Sequence, residues 1–351
     1  MTQFLQDILR QPEQLQRVVS HFCNGGRRSL QEAACRLRDA HHVYLTGIGA
    51  SLHAALCAQS LFYLGGLPVY VQEASELWQF AKIPAGSVLV VISRSGRSLE
   101  ITHLLSKARE SGAFIVGITN FPDGPLAREA HIPIVVPVEL DHGISVSTYS
   151  SLAAAAGLLA STIVGGFNDA LADSLLRAIA AMPDKITAWQ EQISSSAWPT
   201  PGAIYYFLAR GGSLGTCHEA RLLWEEGVKS PATAMGTSSF RHGPQEIISK
   251  GARFAIWFDG QRMREQDLAV ARDMTSLGAS SMLIGQHLPE DGGDLVLQLA
   301  EVPADWQFLI DVIPVQLAAE RLARFSGVDP DRFRLCSYIV EDEYGLMPRN
   351  R

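Results

Sequence analysis

The sequence predicts an α/β protein of two tandem halves, each a five-stranded parallel sheet flanked by helices in three α/β/α layers. Two observations predict it. Short apolar runs rich in β-branched residues alternate with longer helical patterns from end to end, the order expected when parallel strands are joined by helical crossovers. The two halves also begin alike: VYLTGIGASLHAA (43–55) and YYFLARGGSLGTCHEA (205–220) each run strand, glycine, Ser-Leu and then an apolar-periodic helix. Chance likeness of two strand-helix units competes with duplication here. A shared breakpoint favours duplication, because the third strand of one half ends ISRSG and its counterpart ends FDG.

Taken in order, MTQFLQDILRQPEQLQRVVS carries amphipathic helical periodicity, so residues 1–24 are expected to form a helix ahead of the first domain. In that domain, 25–168, strands are expected at 42–47, 68–72, 87–93, 113–119 and 132–138. The run SLAAAAGLLASTIVGG (151–166), rich in Ala and Gly, suits a helix packed closely inside the protein. Residues 169–200 read as one or two polar-faced linking helices that stop at the break PTPG. The second domain, 201–345, offers strands at 203–210, 231–235, 253–258, 280–285 and 294–299, with 346–351 as a tail.

With 351 residues, 47% of them hydrophobic, the chain can bury a large core. The formal charge of −7 comes with scattered Lys and Arg, which gives no basic face for a phosphate backbone, so nucleic acid is not an expected partner. Charges throughout the N-terminal stretch argue against a signal peptide, and the longest apolar run is short for a span; a cytoplasmic protein with no membrane partner is expected. Cys23, Cys35, Cys57, Cys217 and Cys336 form no CxxC and are odd in number, which argues against a disulfide framework and for buried thiols. The His41-His42 doublet would point to opposite faces of a strand, so no metal is expected there, and no cofactor is expected either.

The chemistry-bearing stretch of the first half is VLVVISRSGRSLEITHLLSKARE (88–110), where a buried strand runs into Ser93-Arg94-Ser95-Gly96-Arg97-Ser98 and then a helix. Small hydroxyls and free N–H groups at a helix N-terminus suit a phosphate, and Gly96 lets the backbone approach closely. For one serine, a helix cap or an ST-turn would be the plainer reading. Gly47-Ile48-Gly49-Ala50-Ser51 is a second such end, and Leu52 stands where a dinucleotide fingerprint needs glycine, so NAD is disfavoured. Neighbouring parallel strands share one crevice at their carboxyl ends, which lets Ser51 and the 93–98 turn converge. A third hydroxyl cluster, 145–150, either caps the following helix or closes the same pocket. Arg94 and Arg97 are either solvated turn charges or contacts to a phosphate or substrate carboxylate.

The duplicated halves, the ISRSGRS turn and the pairing of Glu226 with FRHGP resemble the sugar isomerase (SIS) family. The likeness is to the tandem arrangement in the isomerase half of glucosamine-6-phosphate synthase, and covers most of residues 25–345. The resemblance implies that Ser93, Arg94, Ser95 and Ser98, with Ser51 and Ser147, bind the phosphate of a hexose 6-phosphate. It also implies that Glu226, 16 positions before His242, moves a proton between C1 and C2 while His242 assists ring opening or amine departure. Read without the family, both residues are plain surface groups. A homodimer with shared active sites is implied as well.

The departures matter. Ser239 stands where the family often has a glutamate, and Cys336 where the synthase has an imine-forming lysine. Glutamine hydrolysis is not expected, because no amidotransferase segment precedes the first half. FRHGP followed by Glu246-Ile247 resembles the fructosamine 6-phosphate deglycases more than the synthase, which favours an amino or amine-adduct hexose 6-phosphate as substrate and deglycase or deaminase chemistry over plain isomerisation. The competing reading is a non-catalytic sugar-phosphate-binding regulatory protein.

Overall fold

The computed structural model describes residues 1–336, 339–342, 345 and 346. Its elements are α1 (Gln3–Cys23), α2 (Arg27–Arg38), β1 (Val43–Gly47), α3 (Ala50–Leu64), β2 (Tyr70–Glu73), α4 (Ala74–Gln79), β3 (Val88–Ile92), α5 (Leu99–Glu110), β4 (Phe114–Thr119), α6 (Pro125–Glu129), β5 (Ile132–Val135) and α7 (Ser147–Ile163). There follow α8 (Asp169–Ala180), α9 (Met182–Ser195), β6 (Tyr205–Ala209), α10 (Ser213–Leu223), β7 (Ala232–Gly236), α11 (Thr237–Phe240), β8 (Arg253–Trp257), α12 (Arg264–Ser276), β9 (Ser280–Gly285), β10 (Leu295–Gln298) and α13 (Ile313–Phe325). Every expected strand is present.

The chain groups into two compact units. The N-terminal unit holds Glu13–Asp173 and the described residues from Arg332 on; the C-terminal unit holds Met1–Pro12 and Ser174–Asp331. One sheet runs β2-β1-β3-β4-β5 and the other β7-β6-β8-β9-β10, so the two share one strand order. Every pairing in both sheets is parallel. The loops after the first strands match in detail: Gly49 and Gly211 both take left-handed backbone, at φ 55° and 56°, just before α3 and α10. That conformation is open to glycine at no steric cost, and its recurrence supports duplication.

Why these segments are strands follows from their burial. β3, VLVVI, is buried at all five positions, as a central parallel strand with helices on both faces must be. Beneath it the apolar stripe of α5, Ile101, Leu104, Leu105 and Ala108, packs with Leu89, Val91 and Ile115. Each such Leu or Ile contributes about 1.5–3 kcal/mol by leaving water. Helix α7 is buried at nearly every position, and its Ala, Ser and Gly side chains let it lie close to α3, which is similarly small-residued. In the C-terminal unit, Tyr205, Phe207 and Trp198 surround Trp224, with ring centroids 4.7 Å apart for Tyr205–Trp224, and Trp257 packs edge-on against Phe207.

The cysteines correct one expectation. Cys57 and Cys217 are buried, but Cys35 and Cys336 are exposed and Cys23 is half-buried. Cys35 falls on the solvent side of α2, whose buried stripe is Leu30, Ala33, Ala34 and Leu37. Among the described residues no helix is long and apolar enough to cross a membrane.

Asp311, fully buried, accepts hydrogen bonds from Ser213 Oγ at 2.6 Å and Thr216 Oγ1 at 2.7 Å in the first turn of α10. Burial pushes its carboxyl up to about 6, against the pull of those hydroxyls. A carboxyl whose pKa rises on folding stabilises fully below its unfolded value, and that contribution is lost as pH rises through the folded one. Between about pH 4 and pH 7 the wild type is therefore expected to lose about 2–3 kcal/mol of stability relative to Asp311→Asn. Urea unfolding of both proteins across that range checks it, and a difference that does not change with pH contradicts it.

Candidate active site

In the order β2-β1-β3-β4-β5, the chain leaves β1 and β3 toward opposite edges of the sheet, which opens a crevice at their carboxyl ends. Two helix N-termini arrive there, α3 after β1 and α5 after β3. Gly47 makes the approach possible, since a Cβ on it would lie 2.8 Å from the Ser51 carbonyl carbon and 2.9 Å from the Ile92 carbonyl oxygen. Ser51 sits in the first turn of α3 at 9% exposure.

The β3 turn folds on itself through its serines. Ser93 Oγ accepts the Gly96 N–H at 3.0 Å and Ser95 Oγ accepts the Arg97 N–H at 3.2 Å, while both side chains stay buried. Gly96 has φ 65°, and a Cβ there would meet Leu126 at 2.6 Å. Arg94 offers its carbonyl to Asn120 N–H and Thr119 Oγ1, which ties the turn to the end of β4. Ser98 holds the N-cap of α5, yet its hydroxyl makes no capping hydrogen bond. The plain cap reading therefore does not account for that hydroxyl. The Leu99 N–H donates to the Val340 carbonyl at 3.1 Å, so Val340 lies against this helix start.

The 145–150 cluster joins the same end of the sheet. Arg94 Nη1 donates to Ser145 Oγ at 3.4 Å, linking the β3 turn to the start of α7. There Asp141, buried, accepts the N–H groups of Val146, Ser147 and Thr148, each at 2.9 Å, and the Thr148 hydroxyl at 2.6 Å. Burial pushes the Asp141 carboxyl up and these donors oppose it. The carboxylate thus caps α7, a role the sequence reading left to the serines. Ser147 Oγ, completely buried, has no hydrogen-bond partner among the described residues, so it is not the cap.

Glu226 and His242 lie in the C-terminal unit. Glu226 stands, half-buried, in a single π turn, Trp224–Val228, that prolongs α10. Widened turns of this kind recur at functional sites. Buried Trp224 and Val228 pin the turn on either side, and Lys229, left-handed at φ 58°, ends it with its ammonium on the Glu226 carbonyl. His242 is exposed on the turn after α11, where its N–H meets the Ser239 carbonyl at 3.1 Å and Gly243 follows at φ 127°. Phe240, at 1% exposure, anchors that turn in the core. The phosphate candidates thus gather at one sheet end of the N-terminal unit, and the acid-base candidates sit on two special turns of the C-terminal unit.

A SIS domain family model matches residues 36–162. Residues 36–162 are a SIS domain. Over 338 residues the chain is 24% identical to the glutamine–fructose-6-phosphate aminotransferase (isomerizing) of Pyrococcus horikoshii, covering 94% of this chain and 56% of that protein. The Pyrobaculum aerophilum protein of the same name is 25% identical over 350 residues, covering 97% and 57%. The chain thus spans a little more than half the length of these curated relatives. Among solved structures, the C-terminal domain of glucosamine-fructose-6-phosphate aminotransferase from Francisella tularensis matches with a TM-score of 0.84 at 20% identity, covering 95% of this chain and 98% of that one. Glucosamine-6-phosphate deaminase from Thermotoga maritima matches at 0.79 and 20%, covering 97% and 99%. Tagatose-6-phosphate ketose/aldose isomerase from Escherichia coli matches at 0.81 and 19%, covering 94% of each. With the repeated strand order, these likenesses make the fold that of two tandem SIS domains.

Asp141 is the helix-capping residue that sequence reasoning missed; an acidic residue six positions before the first residue of a serine-rich helix is the signal it offered. Asp141→Asn is expected to destabilise the protein by about 1.5–3 kcal/mol, because a charge-assisted acceptor of several N–H groups becomes a neutral one. Thermal and urea unfolding check this, and wild-type stability in the variant contradicts it.

Proposed function

We propose that this chain is a phosphosugar-processing enzyme that acts at C1 and C2 of an amino or amine-adduct hexose 6-phosphate, with deglycase or deaminase chemistry ahead of plain ketose–aldose isomerisation. The observation that carries the reading is the β3 turn: it brings Ser93, Ser95 and Ser98 to a helix N-terminus and leaves the Ser98 hydroxyl out of the helix cap. Ser51, Arg94 and Ser147 complete the phosphate set. A dianion held by helix N-terminal N–H groups, hydroxyls and one guanidinium is a favourable arrangement.

The acid-base pair of the proposed reaction is Glu226 and His242. Glu226 takes the proton from the carbon next to the carbonyl or imine carbon and returns it to the carbonyl or imine carbon itself, through the enediol or enaminol between them. His242 protonates the ring oxygen or the departing amine. For a ketosamine, the C1 proton moves to C2, the resulting aldimine takes up water, and the products are an aldose 6-phosphate and a free amine. No lysine imine is required, in keeping with Cys336 at the position where the synthase has its lysine. The enzyme acts in the cytoplasm as a homodimer with shared active sites.

Incubation with a panel of 6-phosphofructosamines and with glucosamine 6-phosphate, assayed for released amine or ammonia, tests the reading. Turnover of at least one is expected, with Glu226→Gln and His242→Ala each lowering kcat by about 100-fold or more and substrate affinity largely kept. Binding of these sugar phosphates with no turnover of any would instead establish a non-catalytic sensor.

A further inference from the structure

The loop after β6 repeats the loop after β1 with one change of consequence. Gly47-Ile48-Gly49-Ala50-Ser51 becomes Ala209-Arg210-Gly211-Gly212-Ser213, which puts an arginine where the N-terminal unit has Ile48. Arg210 Nε donates to Asp267 Oδ1 at 2.9 Å, and its Nη1 donates to Ser238 Oγ at 2.5 Å. Asp267, on α12, is fully buried, and the arginine side chain is 12% exposed. The guanidinium is thus fixed by a desolvated carboxylate before it reaches Ser238, so little further side-chain entropy is lost in that second contact.

Ser238 lies on α11, the element that leads straight into the His242 turn. Backbone hydrogen bonds within the turn hold its shape, Arg241 N–H to the Ser238 carbonyl and His242 N–H to the Ser239 carbonyl, each at 3.1 Å. Helix α11 is four residues long and has no side-chain cap. Phe240 anchors it from below, against Tyr206 and Phe254 at ring distances of 5.9 and 5.6 Å. Buried Thr237 holds the start of α11 through its Oγ1, which donates to the Ala209 carbonyl at 3.4 Å, and the Ser238 contact adds a shorter, charge-assisted tie between Thr237 and Phe240. We infer that Arg210 is a positioning residue for His242, holding the α11 turn in one orientation through Ser238 while Asp267 holds Arg210. The inference rests on the role proposed for His242 and extends it to a clamp that the imidazole itself does not touch.

The decisive variant is Ser238→Ala, because Ser238 is exposed and its loss leaves no buried charge unpaired. Arg210→Lys is the companion: it keeps a charge beside Asp267, but a point-like ammonium cannot span both acceptors. Ser238→Thr restores the hydroxyl. Two readouts are taken on the full chain, kcat and KM on whichever substrate of the panel turns over, and the ring Cε1–H resonance of His242 in protein labelled at its histidines. His242→Ala assigns that resonance among the 10 histidines.

In Ser238→Ala and Arg210→Lys the resonance is expected to move and kcat to fall about five- to fiftyfold, with KM within about twofold. In Ser238→Thr both are expected to return toward wild type. An unmoved resonance in Ser238→Ala, with wild-type kcat, overturns the clamp. A moved resonance with turnover intact in both Ser238→Ala and His242→Ala upholds the clamp and overturns the catalytic role of His242 instead. The two ideas therefore fail separately.

Discussion

The phosphate candidates of the N-terminal unit depend on one constraint, the close approach of a helix start to the carboxyl ends of two parallel strands. At Gly47 that approach leaves no room for a Cβ, with backbone atoms of Ser51 and Ile92 within 2.9 Å of where it would stand. A wider gap would hold α3 away from the β3 turn, and Ser51 could not face the same crevice as Ser93 and Ser95. The strand order supplies the crevice and the glycine sets its width. The apolar burial of β3 and α5 is what makes so tight a geometry persist, since a packed core does not deform continuously.

The two units show how one scaffold can keep or close such a crevice. In the N-terminal unit the serines of the β3 turn fold inward on backbone N–H groups, and Arg94 ties the turn to α7. In the C-terminal unit the equivalent ends are occupied by the protein itself. Ser213 gives its hydroxyl to Asp311, and Asp259 at the end of β8 accepts the N–H groups of Gln261 and Arg262. Arg210 is spent on Asp267 and Ser238. Of the three carboxylates at that end of the sheet, Asp259 and Asp311 take hydrogen bonds from the chain itself and Asp267 pairs with Arg210.

Most of the fold was legible in the sequence because its signals are local. VLVVI, AFIVGIT and RFAIWF announce buried strands by length and β-branching, and the Ala-rich 151–166 run announces a helix that tolerates close neighbours. The hydroxyl-rich turns were legible for the same reason. The part that was not legible depends on partners far apart in the chain. Asp141 reads as one more loop acid until its carboxylate is seen collecting the N–H groups of residues 146–148. Arg210 reads as a solvated charge after a strand until Asp267, 57 positions on, is found buried against it. The π turn under Glu226 has no periodicity signal at all, because it breaks the very period by which helices are read.

The division of labour around α7 carries the argument one step further. Five hydroxyl-bearing residues, Ser147 to Ser151, open this helix, and a helix start needs acceptors, not donors. Had the serines capped α7, their oxygens would have been consumed by its N–H groups. Asp141 takes that duty instead, and with it the negative charge that the helix dipole favours. The Ser147 hydroxyl is then left fully buried with no partner among the described residues, a state that costs about 1–3 kcal/mol when nothing accepts or donates to it. A protein that keeps a hydroxyl in such a state beside a turn of buried serines gains nothing in folding stability from it. Under the proposed function the hydroxyl and the turn serve a common acceptor, and a phosphate oxygen is an acceptor whose charge suits both.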